Sequence, residues 1–208
     1  MSVGNDVVDL GDPEARLDGL HPRWADRVFT AAERRALDLS PAPARHRLHW
    51  ALWAAKESAY KASKRLDPRA VFSPRAFEVE LLAPLLIGTC RGCVRHRGET
   101  FALEVRHEAE FVHAVATVPA VTTRGSAAVL VARVERARGE PGSDVRAAAT
   151  AALAESFGAD AFGLRITGLP PVARLEAAEL SVDVSLSHHG RVVAFAFRCA
   201  RVRGDVAS

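Results

Sequence analysis

From Leu48 the apolar residues fall at Leu48, Leu52, Ala55, Ala59, Ala62 and Leu66, in alternating steps of four and three. That spacing predicts an amphipathic helix of about five turns, ended by Asp67 and Pro68. Around it the pattern changes. From Phe72 to Thr117 the residues favour strands, with "FEVELL", "TFALEV" and "FVHAVATV" separated by Pro, Gly and charged stretches. A long helix packed on a small sheet is an α+β arrangement.

Elsewhere the chain supplies the same parts. "FTAAERRAL" places Thr30 three residues before Glu33, a capping box that starts a short helix, and Pro41 and Pro43 mark a break after it. Residues 120–143 contain one strand-like run and end in a Gly/Pro/Ser cluster, the best boundary candidate. Ser143 or Asp144 then caps a second helix closed by Gly158. "VDVSLSHHGRVVAFAF" reads as a hairpin about His188, His189 and Gly190. The expected organisation is two halves, 1–120 and 121–208, each a helix plus a few strands.

Chemistry concentrates on the long helix. Of 28 basic residues only Lys56, Lys61 and Lys64 are lysines, and all lie within nine residues around Glu57. Trp53, Glu57, Lys61 and Lys64 share one line of the helix. A solvated face with an ordinary Glu-to-Lys pair would have this pattern too. Lysine, however, offers a compact charge that sits on one phosphate oxygen where arginine needs room for its fork. In "VGNDVVDL", Asp6 and Asp9 occupy a short apolar strand, where an aspartate marks a strand end, a turn or a ligand. Asp6 with Glu57 would supply the one or two carboxylates that magnesium takes beside a phosphorylated substrate.

Other features exclude more than they assign. "CRGC", Cys90 to Cys93 with His96 nearby, lacks the second pair a four-ligand zinc site requires and reads as a turn. No Gly-x-Gly-x-x-Gly, Walker loop or Gly-x-Ser-x-Gly occurs. A net charge of +3 with dispersed arginines and 6% aromatics does not describe a nucleic-acid binder. Three cysteines, mean hydropathy of +0.02 and an acidic N-terminal stretch predict a cytoplasmic protein with no signal peptide and no membrane span.

Together, "GNDVVDL", "LWAAKESAYK" and "SLSHHGRVVAFAF" resemble the three signature segments of the 4′-phosphopantetheinyl transferases, and "RVFTAAERRAL" resembles the segment between the first two. In the surfactin-synthetase-type members the Ser-His hairpin precedes the Gly-x-Asp segment, whereas here it comes last. Residues 144–197 look like that N-terminal half moved to the end. The resemblance therefore implies a permuted pseudo-dimer with its site between the halves; the short holo-acyl-carrier-protein synthases share this motif order as homotrimers, but this length favours a monomer.

The resemblance also implies magnesium-dependent transfer of the phosphopantetheine arm of coenzyme A to a serine of an apo carrier protein. Asp6 and Glu57 would be metal ligands, Lys61 a phosphate contact with Lys56 beside it, and His188 with Ser187 would hold the nucleotide end of coenzyme A. Two positions depart from the pattern. Val8 stands where the surfactin type has a glutamate, leaving Asp9 as a candidate third ligand. Leu169 stands where many members have a lysine, with Arg165 or Arg174 as candidate replacements.

Overall fold

A computed structural model of the chain describes residues 2–83, 87–118, 128–157, 163–175 and 178–200. In chain order the first part runs β1 (Val3–Asp9), α1 (Trp24–Val28), α2 (Ala31–Leu39), α3 (Ala42–Leu66), β2 (Glu78–Leu81), β3 (Gly88–His96), β4 (Glu99–His107) and β5 (Phe111–Thr117). The second runs β6 (Ala128–Arg136), α4 (Pro141–Phe157), β7 (Leu164–Thr167), β8 (Val172–Leu175), β9 (Ala178–His189) and β10 (Val192–Ala200). The class is α+β.

Two five-stranded antiparallel sheets form, with strand orders β1-β5-β4-β3-β2 and β6-β10-β9-β8-β7. Both repeat one connectivity: a first strand, a helical segment, then four strands whose last returns beside the first. No described helix is long and apolar enough to cross a membrane.

The first core follows from a match of periods. β4 alternates exposed and buried residues, turning Phe101, Leu103 and Val105 inward. Against them α3 sets an alanine face, Ala51, Ala55, Ala59 and Ala62, each with no exposed surface. Small side chains bring the helix axis close to the sheet. Gly4 takes this furthest, because a Cβ there would overlap the carbonyl oxygen of Ser58. β1 therefore lies directly on α3.

A second core joins Leu153 and Ala149 of α4 to Val184, Phe195 and Phe197 of the other sheet. Two small clusters close the junction of the sheets, Val3 with Val115 and Ala196, and Val7 with Val192 and Ala194.

Several expectations change. The break falls between Leu39 and Ala42, but α3 begins at Ala42 rather than Leu48, since Pro43 sits in its first turn, where an N–H has no helical partner. "CRGC" is not a turn but the middle of β3. Gly92 is there because a Cβ would overlap the Glu80 carbonyl oxygen, so a residue that usually weakens strands marks a close approach to β2. Cys90 and Cys93, three apart on a strand, face opposite ways and cannot chelate one ion. The capping box of Thr30 and Glu33 is present in full. α4 begins at Pro141, before Ser143 and Asp144, with the Glu140 carboxylate accepting from the N–H groups of Gly142 and Ser143. Gly158 lies outside the described residues.

Candidate active site

Gly4 fixes where Asp6 goes. Two residues along β1, Asp6 lies beside the second half of α3, where Lys61 donates to its Oδ1 at 2.8 Å and to the carbonyl oxygen of Asn5 at 3.0 Å. The same ammonium lies 3.8 Å from Glu57 Oε2, one helical turn back. Asp6, Glu57 and Lys61 thus meet, from two elements far apart in sequence.

The carboxylates share one cation, and their electrostatics show it. Burial first, and then the charge of Asp6, push the Glu57 carboxyl up to about 7, with Lys61 opposing. Asp6 Oδ1 also accepts from Ser187 Oγ at 2.8 Å. Among the described residues, Asp6 Oδ2 and both Glu57 oxygens accept no hydrogen bond. A pair of hard oxygen donors with open lone pairs suits a divalent cation such as magnesium. The described residues also hold one group of three, Asp12, Glu14 and His189, with ligand atoms within 4.8 Å of one another; it includes neither Asp6 nor Glu57.

β1 is an edge strand, and its outward N–H groups need partners. They find them in side chains of β9 at every second position. Asn5 N donates to Ser185 Oγ (2.9 Å), Val7 N to Ser187 Oγ (3.2 Å) and Asp9 N to His189 Nδ1 (3.2 Å). Side chains therefore complete a ladder that joins the two sheets. Ser187 is buried and spends its hydroxyl on Val7 and Asp6, so it orients Asp6 rather than facing open space. His188, on the opposite face of β9, is exposed.

One expected site residue, Lys56, lies elsewhere. Lys56 has no exposed surface; its ammonium is enclosed by Glu33 (2.9 Å) and the carbonyl oxygens of Pro74 (3.2 Å) and Phe77 (2.5 Å). One residue from Glu57 is about 100° around a helix, which turns Lys56 toward α2 and β2. Its ammonium therefore faces the interior. Trp53 is likewise a packing residue, 5.2 Å from Trp24 and 5.7 Å from Phe72 between ring centres.

Asp9 is already saturated as an acceptor. Oδ1 accepts from Gly11 N and Arg191 Nη2, Oδ2 from Arg191 N and Nε, all within 3.0 Å. The Arg191 guanidinium, chiefly, holds its carboxyl down to about 2. A carboxylate with four donors has little left for a third-ligand role. Because the folded value lies below the ordinary 3.8, the stability Asp9 contributes is present above that value and is lost as pH falls through 2. Asp9→Asn is expected to flatten that part of an acid-unfolding curve, measured by circular dichroism, and to leave the curve's shape unchanged above pH 5.

A cavity of about 420 Å³ opens beside Lys61 at the junction of the sheets. Lys61, Lys64 and Arg65 of α3 form one wall; Leu169, Pro170 and Leu186 face them. Arg165 and Arg174, cross-strand partners on β7 and β8, do not line it. Arg65, missed in the sequence, donates to the carbonyl oxygens of Pro171 (2.7 Å) and Val184 and lies 3.8 Å from Asp183, fastening α3 to the second sheet. Its position four residues after Lys61 was the available signal. A somewhat larger apolar cavity, about 480 Å³ between α2, α3 and β2, contains none of Asp6, Glu57 and Lys61.

No curated protein matches the chain. Residues 2–116, more than half of the chain and including Asp6, Glu57 and Lys61, match the family model of the 4′-phosphopantetheinyl transferase superfamily. The chain belongs to that superfamily.

Proposed function

We propose that this protein transfers the 4′-phosphopantetheine arm of coenzyme A to a serine of an apo carrier protein, with magnesium, releasing adenosine 3′,5′-bisphosphate. Membership of the superfamily supports phosphopantetheine transfer in general. The observation that carries the finer reading is the meeting of Asp6, Glu57 and Lys61 beside a 420 Å³ cavity.

In this reaction the serine Oγ attacks the β-phosphorus of coenzyme A, and the bond from that phosphorus to the bridging oxygen breaks. Glu57, or a water beside it, would take the serine proton. Lys61 moves its ammonium from Asp6 toward a phosphate oxygen, where charge gathers as the leaving group departs. Ser187 keeps Asp6 oriented meanwhile. Asp6 and Glu57 would hold magnesium, which would supply electrostatic stabilisation of the pyrophosphate. Lys56 and Asp9 have structural roles only in this account, and His188 remains a contact for the nucleotide end.

On this reading the chain divides into halves, 1–120 and 121–208, that form a pseudo-dimer. The shared strand order of the two sheets supports it. One chain then supplies both walls of the site, and a monomer suffices.

The test is chromatographic. Adenosine 3′,5′-bisphosphate should appear when coenzyme A, an apo carrier and magnesium are all present, and not with chelator or with a carrier whose serine is replaced by alanine. Coenzyme A binding without release on any carrier would instead make this a binding relative without catalysis.

A further inference from the structure

Three cations of α3 reach the cavity, and their charges are committed differently. Arg65 is tied into the wall by Pro171, Val184 and Asp183. Lys61 is held by Asp6. Lys64 donates to a neutral acceptor, the carbonyl oxygen of Ala70 at 2.9 Å, and among the described residues it has no carboxylate partner. An ammonium carries three donors. A half-buried cation that lines a cavity with its charge unmatched is placed to receive an anion.

Its distance from Lys61 restricts which anion. Three residues along a helix advance about 4.5 Å along the axis, so Lys64 lies one turn beyond the ammonium assigned to the pyrophosphate. Around it the cavity is apolar, with Tyr60, Leu169, Pro170 and Leu186 as neighbours. That lining suits a base and sugar, with one charged group at the Lys64 end. In coenzyme A, the charged group set apart from the pyrophosphate is the ribose 3′-phosphate.

We propose that Lys64 is a specificity-determining residue that holds the 3′-phosphate of coenzyme A and so selects it over the 3′-dephospho form. This rests on the transferase reading above and adds a residue to it. Neither Arg165 nor Arg174 is needed as a substitute for the lysine missing at Leu169, because the helix supplies the cation from the facing wall.

Calorimetry tests it with adenosine 3′,5′-bisphosphate and adenosine 5′-monophosphate, on the wild type, Lys64→Gln and Lys64→Arg. The wild type should prefer the bisphosphate by about 10- to 100-fold, the size of one charge-assisted hydrogen bond. Lys64→Gln should reduce that preference to a few-fold while leaving the monophosphate affinity alone, and Lys64→Arg should restore part of it. In transfer assays the KM for coenzyme A should rise in Lys64→Gln and that for 3′-dephospho-coenzyme A should not. A preference that survives Lys64→Gln, or equal weakening of both ligands, overturns the assignment. The binding arm needs no turnover. If carriers are modified but the preference survives, Lys64 alone is wrongly assigned; if no carrier is modified, the transfer reading fails, and calorimetry still decides Lys64.

Discussion

Glu57→Gln should lower the transfer rate by about 10²- to 10⁴-fold, the range for losing a positioned proton acceptor, without unfolding the protein. Folding raises the Glu57 carboxyl from its ordinary 4.5 to about 7, so its ionisation costs stability, increasingly as pH climbs between those values and fully above 7. Glutamine keeps the shape and removes that cost. In metal-free buffer the variant's melting temperature should therefore equal the wild type's near pH 4 and match or exceed it at pH 8. Loss of activity with undiminished stability is the signature of a group kept for chemistry. A variant that loses both together would make Glu57 a structural residue.

Lys56→Met should do the reverse. It leaves the Glu33 carboxylate buried without its cation, a change that costs about 3–5 kcal/mol in such pairs. Glu33 also accepts from Thr30 N (2.8 Å) and Val79 N (2.9 Å), so α2, α3 and β2 all meet at this one carboxylate. Chemical denaturation should show the loss. Lys56→Met combined with Glu33→Gln should recover part of it, because the unpaired charge is then gone. Unchanged stability with weakened coenzyme A binding would return Lys56 to the ligand site.

These two neighbours on one helix show what the sequence could and could not convey. Periodicity located α3, the capping box located α2, and the motif located Asp6, Glu57 and Lys61, because each signal lies in local spacing. Which of Lys56 and Lys61 reaches Asp6 depends on where the sheet lies, and that is set by β1 packing on α3 through Gly4. β3 was hidden because Gly92 looks like a break until Glu80 is seen against it. β7 and β8 are four residues each, too short for alternation to register. The role of Ser185, Ser187 and His189 was invisible for a similar reason. Their partners are backbone N–H groups 180 residues away, and no local pattern records such a pairing.

The cluster of lysines resolves into three separate uses. Lys56 fits a compact ammonium among four oxygens of three residues in a buried core, where an arginine fork would not fit. Lys61 answers to two carboxylates that compete for it. Lys64 faces the cavity with charge to spare.

The most direct test of the central claim is the intact mass of a panel of apo carrier proteins after incubation with the protein, coenzyme A and magnesium, with Glu57→Gln alongside. At least one carrier should gain the mass of a single phosphopantetheine arm on its serine, and Glu57→Gln should prevent the gain. Carriers that all remain unmodified while the wild type still binds coenzyme A would contradict it.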